Sequence, residues 1–255
     1  MDQDNKQKVF QDELEHVRNS VLRKIREDNF PNAITLPILR DAVLLYPQRS
    51  GKLMRPALLM WVNRMLGGRE ECALATASAV ELFHLWSLIH DDIIDQDDAR
   101  RGGPTVHHMV MQHFRREGLN PKKASHNGMA LGILAGDLVL NWSTLMICAD
   151  ENITCDTKQK ILLRITQWLH PALVTGEALD VVFEHRSFAE LSIAELYHML
   201  ELKTGALLRF CAEAGAMLAL EPETPWDDPR VLAIGRFARD LGIAFQLRDD
   251  ILGII

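Results

Sequence analysis

The feature that most constrains the fold is the spacing of apolar residues, which recur at three- and four-residue intervals along most of the chain. Between Val9 and Ile25, for example, they alternate with charged residues as in an amphipathic helix. The strict apolar–polar alternation of strands is absent from the sequence, as are fixed-period repeats and low-complexity linkers. These patterns predict an all-α fold without strands, a single domain over residues 1–255 in which a large helical bundle carries functional side chains facing its centre.

Composition and charge exclude several classes of partner. Hydrophobic residues make up 47% of the 255 residues, enough for a sizeable core, and the net charge of −7 without a basic face argues against nucleic-acid binding. The four cysteines form no CxxC pair, which fits a reducing compartment. The N-terminus lacks a signal peptide, and no run of about 18 uncharged apolar residues exists. We therefore expect a cytoplasmic protein without stable membrane insertion.

An acidic motif ends the most apolar helical run. Asp91 and Asp95 stand one helical turn apart with Asp92 beside them, and like charges at this spacing repel each other. Mg²⁺ relieves such repulsion, because it takes one or two protein carboxylates and completes its shell with water and phosphate oxygens. Arg100 and Arg101 follow and offer planar donors to the same phosphates. A solvated acidic helix end is the alternative, but the arginine pair favours a site.

Two further positions bring donors for an anion. Lys52 and Arg55 precede Pro56, a favoured first residue of a helix, whose exposed N–H groups bind anions. His84 lies two helical turns before Asp91 and shares its face, where it could donate to a phosphate. A solvated basic loop and a hydrogen-bonded core histidine are the competing interpretations.

Other positions predict local structure. Pro171 should kink a helix that runs from residue 157 to 185, and a second kink is expected beside Lys203. Ser192 with Glu195 forms the pattern of a capping box. Asp137, the one charge in an apolar stretch, is expected to be a hydrogen-bonded structural carboxylate. Close helix approach is expected at Gly128, Gly132 and Gly136.

Six motifs occur in an order that resembles the trans-prenyl diphosphate synthases of the short-chain, farnesyl and geranylgeranyl diphosphate synthase type. They are GKLMRP, His84, DDIID followed by RRGGPT, GEALD, KTG and FQLRDD, and they span Gly51 to Ile255. Each motif is weak alone, whereas the six in order are specific. The resemblance implies an isoprenoid synthase type of helical bundle around a central active-site cavity, usually as a homodimer.

The resemblance also implies the chemistry. Mg²⁺-dependent ionisation of an allylic diphosphate (dimethylallyl, geranyl or farnesyl) precedes head-to-tail condensation with isopentenyl diphosphate and loss of a proton. Asp91, Asp95 and Asp249 would hold the metal, three ions per active site, with Asp92 in support. The allylic diphosphate would be clamped by Arg100 and Lys203, and the reacting carbons would be faced by Thr204 and Gln246 with Lys203. The diphosphate of isopentenyl diphosphate would be bound by Lys52, Arg55, His84 and Arg101.

Product length should depend on the residues that close the cavity beneath the first aspartates. The resemblance implies that the fourth and fifth residues before the motif, Ser87 and Trp86, form this floor, and Phe83 is a third candidate. Helical spacing places Ser87 on the face of Asp91 and turns Trp86 to the side. We expect a short product, C15 or C20.

Three features depart from the family pattern. Gly253 stands where the second aspartate motif often has its last aspartate, and Glu177 stands where glutamine is common. The chain also stops at Ile255, whereas the resemblance implies further helices and a basic segment, so we expect the family's C-terminal helices to be lacking from these residues.

Two alternative functions follow. A non-catalytic subunit that modulates a partner synthase would explain the missing aspartate but not the intact DDIID and RRGG motifs. A class I terpene cyclase also uses a DDxxD motif, but it would not need a second diphosphate pocket. Prenyl chain elongation explains all six motifs.

Overall fold

The computed structural model describes residues 3–49, 51–187, 190–220 and 225–254, and these residues are mostly helical. The α-helices are α1 (Gln3–Arg26), α2 (Pro37–Gln48), α3 (Met54–Met65), α4 (Glu70–Ile94), α5 (Val106–Arg116), α6 (Pro121–Cys148), α7 (Cys155–Arg164), α8 (His170–Phe183), α9 (Ile193–Leu200), α10 (Ala206–Leu220) and α11 (Pro229–Ile254). A 3₁₀ turn covers Phe30–Ala33, and π-helical turns cover Ile165–Leu169 and Glu201–Gly205. The prediction of an all-α fold is confirmed.

The prediction that the fold has no strands is wrong in one place, where a small hairpin forms. β1 (Ala99–Arg100) pairs antiparallel with β2 (Gly103–Pro104) in the loop that carries the arginine pair. Arg101 and Gly102 join the strands with φ angles of 52° and 75°, as a two-residue type I′ turn requires. Strands of two residues are too short for an alternating pattern, so the sequence could not reveal them.

The chain folds into two compact units. The first comprises Met1–Pro56 and Leu74–Ala149, and the second comprises Ala57–Ala73 and Asp150–Ile255. The single domain over residues 1–255 stays a prediction.

In the first unit, α6 packs against α2 and α5, and its glycines allow close approach to neighbouring helices. A Cβ atom at Gly136 would overlap the imidazole of His90 on α4, and one at Gly128 would meet the backbone carbonyl of His107. The predicted role of these small residues is therefore confirmed.

The prediction for Asp137 is wrong. Its side chain is 64% exposed, and Oδ1 lies 4.0 Å from His90 Nε2. Asp137 lies on a part of α6 where Ile133 and Leu134 are also exposed, so its charge remains hydrated and needs no buried partner.

In the second unit, α10 is buried along almost its whole length and packs against α11. The helix pattern predicted to be interrupted at Pro171 contains the π-helical turn Ile165–Leu169, which ends two residues before the proline, and the kink itself stays a prediction. Lys203, beside which a second kink is expected, lies in the π-helical turn Glu201–Gly205. Ser192 and Glu195 form the predicted capping box at the start of α9.

Two helices are long and apolar enough to cross a membrane by length and composition. Their apolar windows are 78% buried in Glu70–Ile94 and 44% buried in Pro121–Cys148. This is a weak indication of a membrane span, because the core helix of a soluble protein passes the same test. The absence of stable membrane insertion stays a prediction.

Candidate active site

The paired aspartates lie at the end of α4 with the spacing that the sequence predicts. Helix α4 ends at Ile94, and the N–H of Asp95 donates to the carbonyl of Asp91 over 2.8 Å, which continues the helical turn. Asp91 is partly buried and Asp95 is exposed. Two carboxylates one turn apart at a surface fit Mg²⁺, which binds oxygen ligands and needs few from the protein.

A metal cage formed by the protein alone is not found in the part of the chain that the structure describes. There, no three His, Cys, Asp or Glu side chains are grouped so that they could hold an ion. An ion at Asp91 and Asp95 would therefore take its other ligands from water and phosphate, as Mg²⁺ in phosphate sites does.

Asp92 differs from its neighbours because it is fully buried. It accepts hydrogen bonds from the hydroxyl group of Tyr46 on α2 and from Nε of Arg100 on β1. Nη2 of Arg100 also lies 3.5 Å from Oδ2 of Asp97. Asp92 is thus bound by side chains of its own unit, whereas Asp91 and Asp95 reach the surface.

The surroundings of Asp92 fix the protonation of its two donors. Burial, followed by the hydrogen bond to Asp92, raises the pKa of Tyr46 far above its usual 10.0, so the phenol stays a neutral donor. Burial opposes the charge of Arg100, but the hydrogen bond and the charge of Asp92 outweigh it and raise its pKa. Arg100 therefore remains a cation at the hairpin.

A second group of polar side chains lies in the first unit. Nη1 of Arg55 lies 3.2 Å from Nε2 of His84. Nη1 of Arg101 donates to the carbonyl of Arg49 over 3.1 Å, and its guanidinium lies where a Cβ at Gly51 would be. The predicted residues Arg55 and His84 are thus in contact, and the charge of Arg101 also acts on His84. Lys52, next to Gly51, is exposed.

These charges also explain the titration of the buried groups between them. Burial and the charges of Arg55 and Arg101 hold the pKa of His84 well below its usual 6.5, so the imidazole is neutral at neutral pH. Burial raises the pKa of Glu81, one turn earlier on α4, although the same two arginines favour its charged form. A neutral His84 can still donate one N–H to an anion.

The loop before α3 holds a strained residue. Leu53 is buried and has φ of 52°, a left-handed conformation that is rare for a bulky side chain. Such strain persists only where packing enforces it, and it is frequent at functional sites. It lies between Lys52 and the start of α3 at Met54.

In the second unit, Lys203 lies on the π-helical turn and is ion-paired with two carboxylates. Its Nζ is 2.9 Å from Glu177 Oε2 and 2.5 Å from Asp180 Oδ2. Burial opposes the charge of Lys203, but hydrogen bonds to both carboxylates raise its pKa above its usual 10.5. Close packing is possible because Gly176 of α8 lies against the backbone of Lys203.

The remaining predicted residues of the second unit are Thr204 on the π-helical turn and Gln246 and Asp249 on α11. Oγ1 of Thr204 donates to Oε1 of Gln246 over 3.0 Å, and Asp249 is exposed. Lys203, Thr204 and Gln246 are therefore neighbours. Gly253 lies in a stretch whose side-chain surroundings are outside the described part.

The three candidates for product length lie on α4 and differ in burial. Phe83 and Trp86 are buried with ring centroids 5.0 Å apart, and Trp86 meets the edge of His90 at 5.7 Å. Because His90 lies against α6, Trp86 turns away from the Asp91 face, as helical spacing predicts. Ser87 is partly exposed, and its hydroxyl group donates to the carbonyl of His84 over 2.9 Å. Their role as a floor stays a prediction.

Sequence reasoning missed three side chains of the first unit. Tyr46 and Arg49 flank Pro47 and Gln48, and the segment from Tyr46 to Gly51 has the composition of a turn, but α2 continues through a buried Pro47 to Gln48. Glu81 was not singled out, although it is a lone acidic residue in an apolar run, three residues before His84. That isolation was the available signal.

These side chains define an all-helical protein with a surface pair of carboxylates next to a cationic hairpin. The family model described as polyprenyl synthetase matches residues 36–255, so the chain belongs to the polyprenyl synthetase family. The farnesyl diphosphate synthase of Geobacillus stearothermophilus is 34% identical over 221 residues, which are 85% of this chain and 66% of that protein. The chain thus spans slightly less than two thirds of this relative.

Solved structures also match this chain over most of its length. Geranylgeranyl pyrophosphate synthetase from Pyrococcus horikoshii matches with a TM-score of 0.78 and 30% identity, over 95% of this chain and 67% of that one. Geranylgeranyl pyrophosphate synthase from Corynebacterium glutamicum, complexed with isoprenyl diphosphate and magnesium, matches with a TM-score of 0.77 and 27% identity, over 94% of this chain and 68% of that one.

Proposed function

We propose that the protein is a Mg²⁺-dependent trans-prenyltransferase that condenses isopentenyl diphosphate with an allylic diphosphate to give a C15 or C20 prenyl diphosphate. The observation that carries this proposal is the presence, in one unit, of two separate cationic groups. Arg100 lies next to the paired aspartates, and Arg55 with His84 and Arg101 forms the second group. Two groups suit two diphosphates.

The first group suits the allylic diphosphate. Asp91 and Asp95 would hold Mg²⁺, which would neutralise the diphosphate and make it a better leaving group. Arg100 adds a permanent cation whose planar donors match phosphate oxygens. Charge that develops on the departing oxygen is thereby stabilised, and the C–O bond can break towards an allylic cation.

The second group suits the diphosphate of isopentenyl diphosphate. Arg55 and Arg101 supply charge, and the neutral imidazole of His84 supplies an N–H. Holding this substrate by its diphosphate orients its double bond for attack on the allylic cation. The new C–C bond leaves the positive charge on the isopentenyl part, which then loses a proton to the released diphosphate. The Lys203, Thr204 and Gln246 group is proposed, from its motifs, to serve the allylic substrate.

The decisive experiment is incubation of the purified protein with Mg²⁺, labelled isopentenyl diphosphate and each allylic primer, followed by sizing of the product. We expect label in a C15 or C20 product that disappears when the metal is chelated. Cyclised product without incorporated label would indicate a terpene cyclase. Label that appears only after a partner synthase is added would indicate a modulating subunit.

We also propose a cytoplasmic homodimer that uses three Mg²⁺ ions per active site. The exposed apolar side chains of Met129, Ile133 and Leu134 on α6 support self-association, because exposed apolar patches mark interaction surfaces. Light scattering of the protein and of Leu134→Glu tests the dimer, which the variant should weaken. Titration of bound metal in the presence of pyrophosphate tests the number of ions.

A further inference from the structure

We propose that Tyr46 is a positioning residue of the allylic diphosphate site, where its hydroxyl group holds the carboxylate of Asp92 and Asp92 in turn holds the guanidinium of Arg100. The inference rests on the proposed function, because that function assigns Arg100 to the allylic diphosphate. It explains why the middle acidic residue of the motif is buried while its neighbours reach the surface.

Tyr46, Asp92 and Arg100 differ in how deeply they are buried. Tyr46 and Asp92 have no exposed surface, and the side chain of Arg100 is 28% exposed. The contacts therefore lead from a buried phenol through a buried carboxylate to a cation that reaches the surface. A buried carboxylate keeps its donors tightly, because losing one leaves it unsatisfied in a medium of low dielectric.

Each oxygen of Asp92 has its own donor. Oδ2 accepts from Tyr46, and Oδ1 accepts from Nε of Arg100. The phenol thereby fixes the rotation of the carboxylate, and the carboxylate fixes the plane of the guanidinium. Binding through Nε engages one of the five N–H donors of an arginine, so most of them remain for a phosphate.

The end of α2 supports the same hairpin through the backbone. Nη1 of Arg49 donates to the carbonyl of Pro104 over 2.8 Å, and the carbonyl of Arg49 accepts from Nη1 of Arg101 over 3.1 Å. Tyr46 thus acts on the hairpin through Asp92, beside the direct contacts that Arg49 makes with it. Removing only its hydroxyl group should leave the hairpin in place and release the orientation of Arg100.

The test compares Tyr46→Phe with Tyr197→Phe, which removes the same atom from a tyrosine that is 45% exposed on α9. In the full chain, Tyr46→Phe should raise the KM for the allylic diphosphate about tenfold and change the KM for isopentenyl diphosphate less than about twofold. Tyr197→Phe should change neither. In an Arg100→Ala background, Tyr46→Phe should have little further effect, because both variants remove one interaction.

A binding measurement separates this inference from the proposed function. Calorimetric titration with inorganic pyrophosphate and Mg²⁺ should show a similar loss of affinity in Tyr46→Phe and Arg100→Ala. If Tyr46→Phe does not fold by circular dichroism, Asp92→Asn takes its place with the same expectation. Wild-type affinity in Tyr46→Phe, or effects that add to those of Arg100→Ala, would overturn the positioning role. A wild-type protein that binds pyrophosphate but incorporates no isopentenyl diphosphate would instead refute the proposed function.

Discussion

Glu177 Oε2 lies 2.9 Å from Nζ of Lys203, so the residue that departs from the family pattern is ion-paired with the lysine of the KTG motif. Asp180 contacts the same ammonium group. Two carboxylates therefore share one cation that is proposed to bind a diphosphate, and the second carboxylate would compete with that diphosphate.

The first prediction is that Glu177→Gln lowers the KM for the allylic diphosphate by roughly two- to fivefold, the worth of a partly exposed ion pair. Glutamine removes the competing charge and keeps the shape of the side chain. Glu201→Gln is a matched control, because Glu201 lies on the π-helical turn that also carries Lys203 but pairs with Arg239. Steady-state kinetics decide, and a higher KM in Glu177→Gln would show that the extra charge assists binding.

The second prediction separates the three aspartates by burial. Asp91→Ala and Asp95→Ala should lower turnover by about two orders of magnitude or more, because they remove metal ligands, and should leave the melting temperature nearly unchanged. Asp92→Ala should instead lower the free energy of unfolding by about 3–5 kcal/mol, because it leaves a partly buried arginine without its carboxylate. Asp137→Ala, at an exposed position, should change neither quantity. Urea unfolding and turnover are the measurements, and a stable Asp92→Ala would contradict the structural account.

The three aspartates differ in how much of their role the sequence predicts. The face shared by Asp91 and Asp95 follows from helical geometry, which is local, so the spacing was sufficient. The contact between Tyr46 and Asp92 joins residues 46 positions apart, and no periodicity encodes it. The residues after Tyr46 are typical of a turn, yet α2 continues through the buried Pro47 to Gln48.

The third prediction distinguishes the two proposed diphosphate sites. Arg101→Ala and Lys52→Ala should raise the KM for isopentenyl diphosphate about tenfold or more, because each removes a charge-assisted contact, and should affect the allylic diphosphate less. Arg100→Ala, at the neighbouring position, should instead raise mainly the KM for the allylic diphosphate. The reverse pattern in separate substrate titrations would mean that the two sites are exchanged.

The fourth prediction concerns acid stability. The folded state holds the pKa of His84 well below 6.5, so below this pH the unfolded chain binds more protons and the free energy of unfolding falls. The charges of Arg55 from α3 and of Arg101 and, least, Arg100 from the hairpin also lower the pKa of this imidazole. Burial raises the pKa of Glu81, so its contribution has the opposite sign and lowers the free energy of unfolding as pH rises above 4.5.

Between pH 7 and pH 5.5, the free energy of unfolding should therefore fall by about 1 kcal/mol less in His84→Gln than in the wild type. Glu81 is present in both proteins, so its contribution largely cancels. His126→Gln, at an exposed position on α6, should behave as the wild type does. Urea unfolding at both pH values is the measurement, and equal losses in His84→Gln and the wild type would contradict a neutral His84.

The last prediction concerns product length, which the sequence assigned to Ser87, Trp86 and Phe83. Ser87 shares the face of Asp91, so a growing chain that starts at the aspartates and follows α4 at about 1.5 Å per residue reaches it within two turns. Trp86 instead packs between Phe83 and His90, and His90 lies against Gly136 of α6. Ser87→Phe should therefore shorten the product. Trp86→Ala should mainly lower the free energy of unfolding, by about 3–5 kcal/mol, because it empties a buried site. Chromatographic sizing of the products with urea unfolding of both variants tests this division, and a longer product from a stable Trp86→Ala would assign the floor to the indole.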